Sequence, residues 1–218
     1  RLNESYRTFL NINGSHVGSN SWVISSERSA TGKPILANDP HLALQAPSRW
    51  YEVMIKGGDL DVRGMSFPGI PGIVIGNNRS ITWGLTNLMN DDNDFVILRK
   101  DSVNSNKYIY NNRSYELDSI KEKIYVKDSL ESEFVIKTTA IGPVISELKI
   151  KGFADYLPSE NNNNPYKDKI MTFKWTGFEI SDDVFSFYRI NTAKNWEDFK
   201  SALKDFCVPA QNFTYADI

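Results

Sequence analysis

Residues 16–24, HVGSNSWVI, place Ser19 between a glycine and an apolar, strand-like run. Taken alone, Gly-Ser-Asn is typical of a turn, because Ser and Asn hydrogen-bond locally to the backbone. If the bond between Gly18 and Ser19 were cut, however, Ser19 would carry both a hydroxyl and a free α-amine. The pKa of an α-amine is about 7.7–8.0, so the amine can act as general base for the hydroxyl of its own residue. Ser19 is therefore either a turn residue or an N-terminal nucleophile that needs no histidine.

The segments after Ser19 predict a β-rich chain. Short runs of β-branched and aromatic residues are separated by Gly, Pro, Asn and Asp, a pattern typical of strands joined by turns. A further set of runs between residues 107 and 140 alternates polar with apolar residues, as half-buried antiparallel strands do. The segment KYIYNNRSYEL predicts a hairpin formed by Tyr108–Tyr110 and Asn111–Arg113.

Helices are predicted only late in the chain. SDDVFSFYRINTA, which starts at Ser181, begins with Ser and Asp caps. NWEDFKSALKDF, residues 195–206, has Asn195 as its N-cap and acidic residues in its first turn. One apolar face of this second helix contains Trp196, Phe199, Leu203 and Phe206. We therefore expect an α+β protein in which sheets dominate and helices pack on them.

The composition excludes some classes of partner. The chain has 218 residues and a net charge of -2, and 40% of its residues are hydrophobic, which is ordinary for a globular domain. Nucleic acid is not expected as a partner, because phosphate binding needs a basic face. No apolar run approaches the roughly 20 residues of a membrane span. The one cysteine, Cys207, has apolar neighbours on both sides, which predicts a buried structural thiol.

A series of motifs that begins at Ser19 resembles the penicillin acylase family of N-terminal nucleophile hydrolases. No motif alone is specific, but their order and spacing are, and the resemblance covers nearly the whole chain from Ser19 onward. The motifs are GSNSWV (18–23), NDPHL (38–42), PGIPG (68–72), IGNN (75–78), ITWG (81–84), DDND (91–94), NWEDF (195–199) and QNFTYAD (211–217).

The resemblance implies a catalytic role for three residues. Ser19 corresponds to the nucleophile, and Gly18–Ser19 corresponds to the bond that the precursor cuts by itself. His41 falls where some family members have His and others Gln, so it either orients Ser19 or is an ordinary turn histidine. Asn87 falls at the position whose backbone N–H contributes to the oxyanion hole, a role that any residue except proline can fill. The second oxyanion donor, an asparagine of a motif further along the family's β chain, lies outside this sequence.

The resemblance also implies an acyl pocket and a metal site. Five apolar residues correspond to the acyl side of the pocket, although each is equally typical of a plain core. These residues are Leu42, Val74, Ile75, Leu85 and Phe187. Asp91, Asn93 and Asp94 correspond to part of a structural Ca²⁺ site, and their alternative is an acidic loop that caps a strand. No cofactor is expected for catalysis.

The expected fold is a partial αββα sandwich with an added antiparallel β region at about residues 104–150. Residues 1–18 read as the end of a spacer before the cut bond, and residues 19–218 as the first portion of the β chain. We read the chain as a piece of a longer polypeptide, whose partners would be an α chain and the rest of the β chain. Family resemblance alone suggests an exported protein.

Three functions stay open at this point. The first is hydrolysis of a linear amide through an acyl-enzyme ester on Ser19, with a hydrophobic acyl group as the recognised part of the substrate. The second keeps this chemistry but takes an N-acyl homoserine lactone or another lipid amide. The third is a β-rich binding module without catalysis, in which Ser19 is only a turn residue.

Overall fold

A computed structural model describes residues 18–42, 46–128, 131–147 and 169–218, which belong to two compact units. The main unit, Gly14–Asp91 with Glu179–Ile218, contains Ser19. The described residues of the second unit lie within Asp92–Phe178. The predicted spacer lies outside the described residues except for Gly18.

Strands are the main regular element of the described residues, as the sequence pattern predicts. Two α-helices, α1 (Asp183–Thr192) and α2 (Trp196–Ala202), lie near the C-terminal end. The strands, in chain order, are β1 (Gly18–Ile24), β2 (Ile35–His41), β3 (Tyr51–Gly57), β4 (Leu60–Ser66), β5 (Ile75–Asn77), β6 (Ile81–Asn87), β7 (Asn93–Lys100), β8 (Lys107–Tyr110), β9 (Arg113–Glu116), β10 (Asp118–Ile124), β11 (Ser132–Thr138), β12 (Lys169–Trp175) and β13 (Gln211–Asp217).

The main unit consists of three layers. Its central layer is an antiparallel sheet with strand order β13-β6-β5-β4-β3. One face of the sheet is covered by the helices, and Trp83 and Leu85 of β6 share a buried cluster there with Ile190 of α1 and Phe199 of α2. The other face carries the antiparallel pair β1–β2, which contacts β6 and β13. Because side chains alternate along a strand, successive side chains of β6 point to the helix face and to the β1–β2 face of the sheet in turn.

The helices begin where the sequence predicts. Asp182 is the N-cap of α1 and accepts a hydrogen bond from the N–H of Phe185, and Asn195 caps α2 in the same way through Asp198. The second helix is shorter than expected, because the chain narrows to a 3-10 turn at Leu203–Asp205. Trp196 is 46% exposed, so the predicted apolar face is only partly buried.

Two asparagines, the buried Asn191 and the half-buried Asn78, join α1 to the sheet. Asn191, 1% exposed, accepts from the N–H of Ile73 at 2.7 Å and donates to the Ile73 carbonyl at 2.8 Å. Asn78 donates to the carbonyls of Asn191 and Ala193, and its own Oδ1 accepts from two backbone N–H groups of the following turn. These side chains pair with backbone groups that the helix end and the loop before β5 would otherwise leave unpaired.

The second unit is built from two smaller sheets. β12, β7, β8 and β9 form one antiparallel sheet in that order, and β10 pairs with β11. Leu98, Tyr108 and Ile170 belong to its buried cluster. The predicted hairpin is confirmed: Asn111 and Asn112 have φ of 48° and 59°, as a two-residue type I′ turn requires.

Cys207 is exposed, so the prediction of a buried thiol is wrong. Phe206 and Val208 line a cavity in the main unit. Their segment is extended, and successive side chains point in opposite directions, so Cys207 points outward. Within the described residues, neither helix has the length and hydropathy that a membrane span needs.

Replacement of Asn191 by Ala is expected to lower the stability of the main unit by about 3 kcal/mol, because it leaves two buried backbone groups of Ile73 unpaired. Thermal unfolding monitored by near-UV circular dichroism measures the loss. Asn212→Ala is the matched control, since this amide is exposed and contacts only Thr86 Oγ1 among the described residues. Equal melting temperatures for the two variants would contradict the role of Asn191.

Candidate active site

Contacts between two layers determine where Ser19 lies. The Ser21 hydroxyl bonds to that of Thr214, which pairs with Gly84 on β6. Asn38 Nδ2 donates to the carbonyls of Asn20 and Leu85 at 3.0 Å each, and the Leu85 N–H donates to Asn38 Oδ1 at 3.0 Å. The amide of Asn38 therefore pairs with Leu85 as a neighbouring strand would.

These contacts place Ser19 at the end of β6. Ser21 is level with Gly84, and Asn20 is level with Leu85. Each further step along a strand is roughly 3.3 Å, so Ser19 comes level with the segment that ends at Asn87. Ser19 is half-buried and Asn87 is exposed, and both line one cavity.

The approach of β2 to β6 requires a glycine at position 84. A Cβ built on Gly84 would lie 2.9 Å from both Cβ and Cγ of Asn38. Real Cβ atoms essentially never approach this closely, and Gly84 is itself buried. The absence of a side chain at this position thus keeps the strand that carries Ser19 in its place on the sheet.

The backbone N–H of Asn87 is directed away from β13. Leu88 donates its N–H to the carbonyl of Ala210 at 3.2 Å, so Asn87 and Gln211 form a pair whose own backbone groups point outward. The Asn87 N–H therefore faces the same edge of β6 as the Leu85 N–H, which donates a hydrogen bond to Asn38 Oδ1. An N–H in this position is suited to bind an oxygen that carries negative charge beside Ser19.

His41 lies next to Gly18 rather than beside the Ser19 side chain. In the register of β1 with β2, Gly18 pairs with His41 and Ser19 pairs with Pro40. A Cβ on Gly18 would lie 3.8 Å from His41 Nδ1, while His41 Nε2 is 2.8 Å from Asp39 Oδ2. Since neighbouring residues alternate, His41 is on the opposite face of the pair from the Ser19 hydroxyl. The His41 ring therefore lies beside Gly18 and away from the Ser19 hydroxyl.

The cavity beside Ser19 is apolar and has a volume of about 310 Å³. It lies between the Ser19 end of the β1–β2 pair, the sheet and the start of α1. The five residues predicted for the acyl pocket all line it, and three of them also belong to the buried core of the unit. The five are Leu42, Val74, Ile75, Leu85 and Phe187.

Three further residues with polar groups line this wall and are not predicted from the sequence: Trp50, Asp183 and Gln211. Trp50 stacks on Phe67 with ring centroids 4.1 Å apart, and its buried Nε1 has no hydrogen-bond partner among the described residues. Gln211 donates through Nε2 to Asn87 Oδ1 at 2.9 Å. Asp183 is the third. In the sequence, Gln211 and Asp183 are polar residues that stand among apolar positions of a strand and a helix, and this pattern could have indicated that they line a binding cavity.

Asp183 holds the Phe206–Val208 segment against the cavity. Its Oδ1 accepts from the N–H groups of Cys207 and Val208, and its Oδ2 accepts from the Ser181 hydroxyl. Burial raises the pKa of this carboxyl, but the hydrogen bonds outweigh burial, so the pKa lies below its ordinary value. With its oxygens occupied in this way, Asp183 acts as a structural anion rather than as a substrate ligand.

Asp91, Asn93 and Asp94 do not make a metal site by themselves. Asp91 and Asp94 are exposed, and Asn93 Nδ2 is bonded to Asp92 at 2.7 Å. No cluster of three or more His, Cys, Asp or Glu side chains suited to a metal occurs among the described residues. Ca²⁺ takes about six to eight oxygen ligands, more than these three residues supply. Calcium binding here stays a prediction.

The site and fold together define a class: a β-rich α+β protein with a serine on the first strand of a sandwich, at the mouth of an apolar cavity. The sequence profile of the penicillin amidase family matches residues 2–218, and the chain belongs to that family. The structure of a thermostable penicillin G acylase from Alcaligenes faecalis superposes with a TM-score of 0.73 at 23% identity, over 90% of this chain and 33% of that one. This confirms the predicted fold class.

Curated relatives share the same region. An acyl-homoserine lactone acylase QuiP of Pseudomonas aeruginosa is 27% identical over 203 residues, 91% of this chain and 23% of the relative. Penicillin G acylase of Escherichia coli is 26% identical over 200 residues, 92% of this chain and 22% of the relative. The chain therefore spans less than a quarter of the length of these relatives.

Gly84→Ala is expected to reduce activity on an amide at least tenfold, because the added methyl pushes Asn38 and the strand that carries Ser19 away from β6. Steady-state kinetics and thermal unfolding of the same samples measure the effect. Gly57→Ala is the control, since a Cβ there meets no atom within 4 Å. Full activity in Gly84→Ala would show that Asn38 does not position Ser19.

Asp183→Asn is expected to destabilise the main unit by about 1 kcal/mol at pH 7, because neutral acceptors bond more weakly than a carboxylate. The pKa of Asp183 is lower in the folded protein than in the unfolded chain, where it is about 3.9, so the ionised carboxylate stabilises the fold at pH values above about 3.9. This stabilisation is lost as the pH falls through the pKa of the folded protein. Unfolding measured from pH 7 down to pH 2.5 should therefore show the two proteins converging. A difference independent of pH would contradict the assignment.

Proposed function

We propose that this protein is an amidohydrolase that cleaves linear, non-peptide amides through an acyl-enzyme ester on Ser19. The observation that carries the proposal is the position of Ser19, which lines one apolar cavity together with Asn87 in a penicillin amidase family chain. The names of the relatives, penicillin acylases and acyl-homoserine lactone acylases, agree with this chemistry.

The nucleophile is generated by the chain itself. The hydroxyl of Ser19 attacks the carbonyl of Gly18, the amide bond breaks, and an ester forms between them. Water then hydrolyses the ester and leaves Ser19 with a free α-amine. The space around Gly18 supports this rearrangement: among the described residues, a Cβ on Gly18 would meet only His41 Nδ1 within 4 Å.

Hydrolysis of the substrate uses the new amine as general base. The amine accepts the hydroxyl proton, directly or through one water, while the Ser19 oxygen attacks the substrate carbonyl. The Asn87 N–H stabilises the resulting oxyanion, a contribution of about 3 kcal/mol for one good donor. The amine then protonates the leaving nitrogen, and water releases the acid. His41, fixed by Asp39, orients the Ser19 α-amine from the other face of the β1–β2 pair.

The acyl group is the part of the substrate that the described cavity selects. Its volume of about 310 Å³ and its apolar walls suit an aromatic or medium-length aliphatic acyl group. The second oxyanion donor and the leaving-group side come from further segments of the polypeptide, including a separate α chain after processing. One relative carries the name penicillin acylase 2 proenzyme, which agrees with such processing.

A lipid-amide substrate is the second candidate within the same chemistry. It is favoured by the acyl-homoserine lactone acylase names of several relatives and by the aliphatic side chains of Leu42, Val74, Ile75 and Leu85 in the cavity.

Mass spectrometry and N-terminal sequencing of the protein expressed from its complete gene test the proposal. We expect a chain that begins Ser19-Asn20-Ser21-Trp22 and hydrolysis of at least one amide from a panel of phenylacetyl, phenoxyacetyl, long-chain acyl and homoserine lactone compounds. Ser19→Ala should abolish both cleavage and hydrolysis. Ser25→Ala is the matched control, because Ser25 is exposed, makes no side-chain cap hydrogen bond and does not line the cavity, and this variant should still be cut.

An uncut wild-type chain that hydrolyses no member of the panel would contradict the proposal. The binding module would then be the better interpretation, and Ser19 would be a turn residue. A cut chain that hydrolyses only the long-chain acyl or lactone compounds would select the lipid-amide substrate.

A further inference from the structure

The wall of the cavity has a polar pair at the end where Ser19 lies. Asn87 ends β6, Gln211 begins β13, and the two are directly opposite in the sheet. Gln211 Nε2 donates to Asn87 Oδ1 at 2.9 Å, and both residues line the cavity together with Ser19. This amide pair therefore faces the same cavity as Ser19, the residue that would carry the acyl group.

The pair keeps unused hydrogen-bonding capacity. Its internal bond occupies one N–H of Gln211 and the oxygen of Asn87. The Gln211 oxygen, its second N–H and the Asn87 amide have no other partner among the described residues. Asp183, another polar residue of this wall, has less free hydrogen-bonding capacity, because its two oxygens already accept hydrogen bonds from Ser181, Cys207 and Val208.

A plain hydrocarbon acyl group leaves this pair unsatisfied. When such a group fills the cavity, it removes water from the Gln211 oxygen and returns no hydrogen bond, which is unfavourable. An acyl group with a hydroxyl near its carbonyl would instead donate to that oxygen. The Asn87 contact holds the Gln211 side chain in position, so little rotamer freedom is lost on binding.

We propose that Gln211, positioned by Asn87, is a specificity-determining residue that binds a hydroxyl on the second or third carbon of the acyl group. The preferred substrates are then hydroxyacyl amides rather than unsubstituted ones. This inference rests on the proposed function for its catalytic consequence, but the binding preference can be measured without turnover.

The test uses the protein expressed from its complete gene as wild type, Gln211→Leu and Asn212→Ala. Gln211→Leu removes the oxygen and keeps a side chain of similar bulk. Asn212→Ala is the matched control, because this neighbouring amide bonds to Thr86 and is absent from the cavity wall. Calorimetry measures the Kd of octanoate, 2-hydroxyoctanoate and 3-hydroxyoctanoate, and kinetics measures kcat/KM for the corresponding acyl amides.

We expect the wild type and Asn212→Ala to bind one hydroxyoctanoate about tenfold more tightly than octanoate, and Gln211→Leu to lose that preference. The ratio of kcat/KM values should change in parallel. Equal affinities for all three acids in the wild type, or an unchanged preference in Gln211→Leu, would overturn the inference. A preference in binding that Gln211→Leu removes, without hydrolysis of any amide, would support the subsite and contradict the proposed function.

Discussion

The contact between the side-chain amide of Asn38 and the backbone of Leu85 is the constraint on which the candidate site depends. Through one amide, β2 bonds to the end of β6 and to Asn20 of β1, so three strands are held in one register. The contact forms only because Gly84 lets the Asn38 side chain approach the sheet. Together with the bond between the hydroxyls of Ser21 and Thr214, this contact determines where the strand that carries Ser19 lies on the sheet.

Side-chain amides take the same role elsewhere in the main unit. Asn191 pairs with both backbone groups of Ile73, and Asn78 binds the carbonyls at the end of α1. Such bonds contribute modestly when formed but are expensive to leave unmade inside a protein. Buried amides therefore specify one arrangement of helix and sheet, where an apolar contact alone would tolerate several.

The cavity combines an apolar wall with a small number of fixed polar groups. Apolar residues at the cavity are also part of the core, so the shape of the pocket is supported by the same packing that stabilises the sheet. Asp183 fixes one wall through backbone N–H groups, while Gln211 keeps an oxygen available for a ligand. Asp183 has both oxygens occupied by hydrogen bonds and is structural, whereas Gln211 has an oxygen that can still accept a hydrogen bond from a substrate.

The sequence by itself determined the strands, the helix caps, the hairpin turn at Asn111 and the motif order, because these depend on local propensity and on spacing. It also singled out Ser19 and five of the apolar residues that line the cavity. Only the tertiary structure decided that His41 faces away from the Ser19 hydroxyl, that Cys207 is exposed, and that Gln211 meets Asn87. These facts depend on strand register and on contacts between residues far apart in the chain, and a shift of one residue in register exchanges the two faces of a strand.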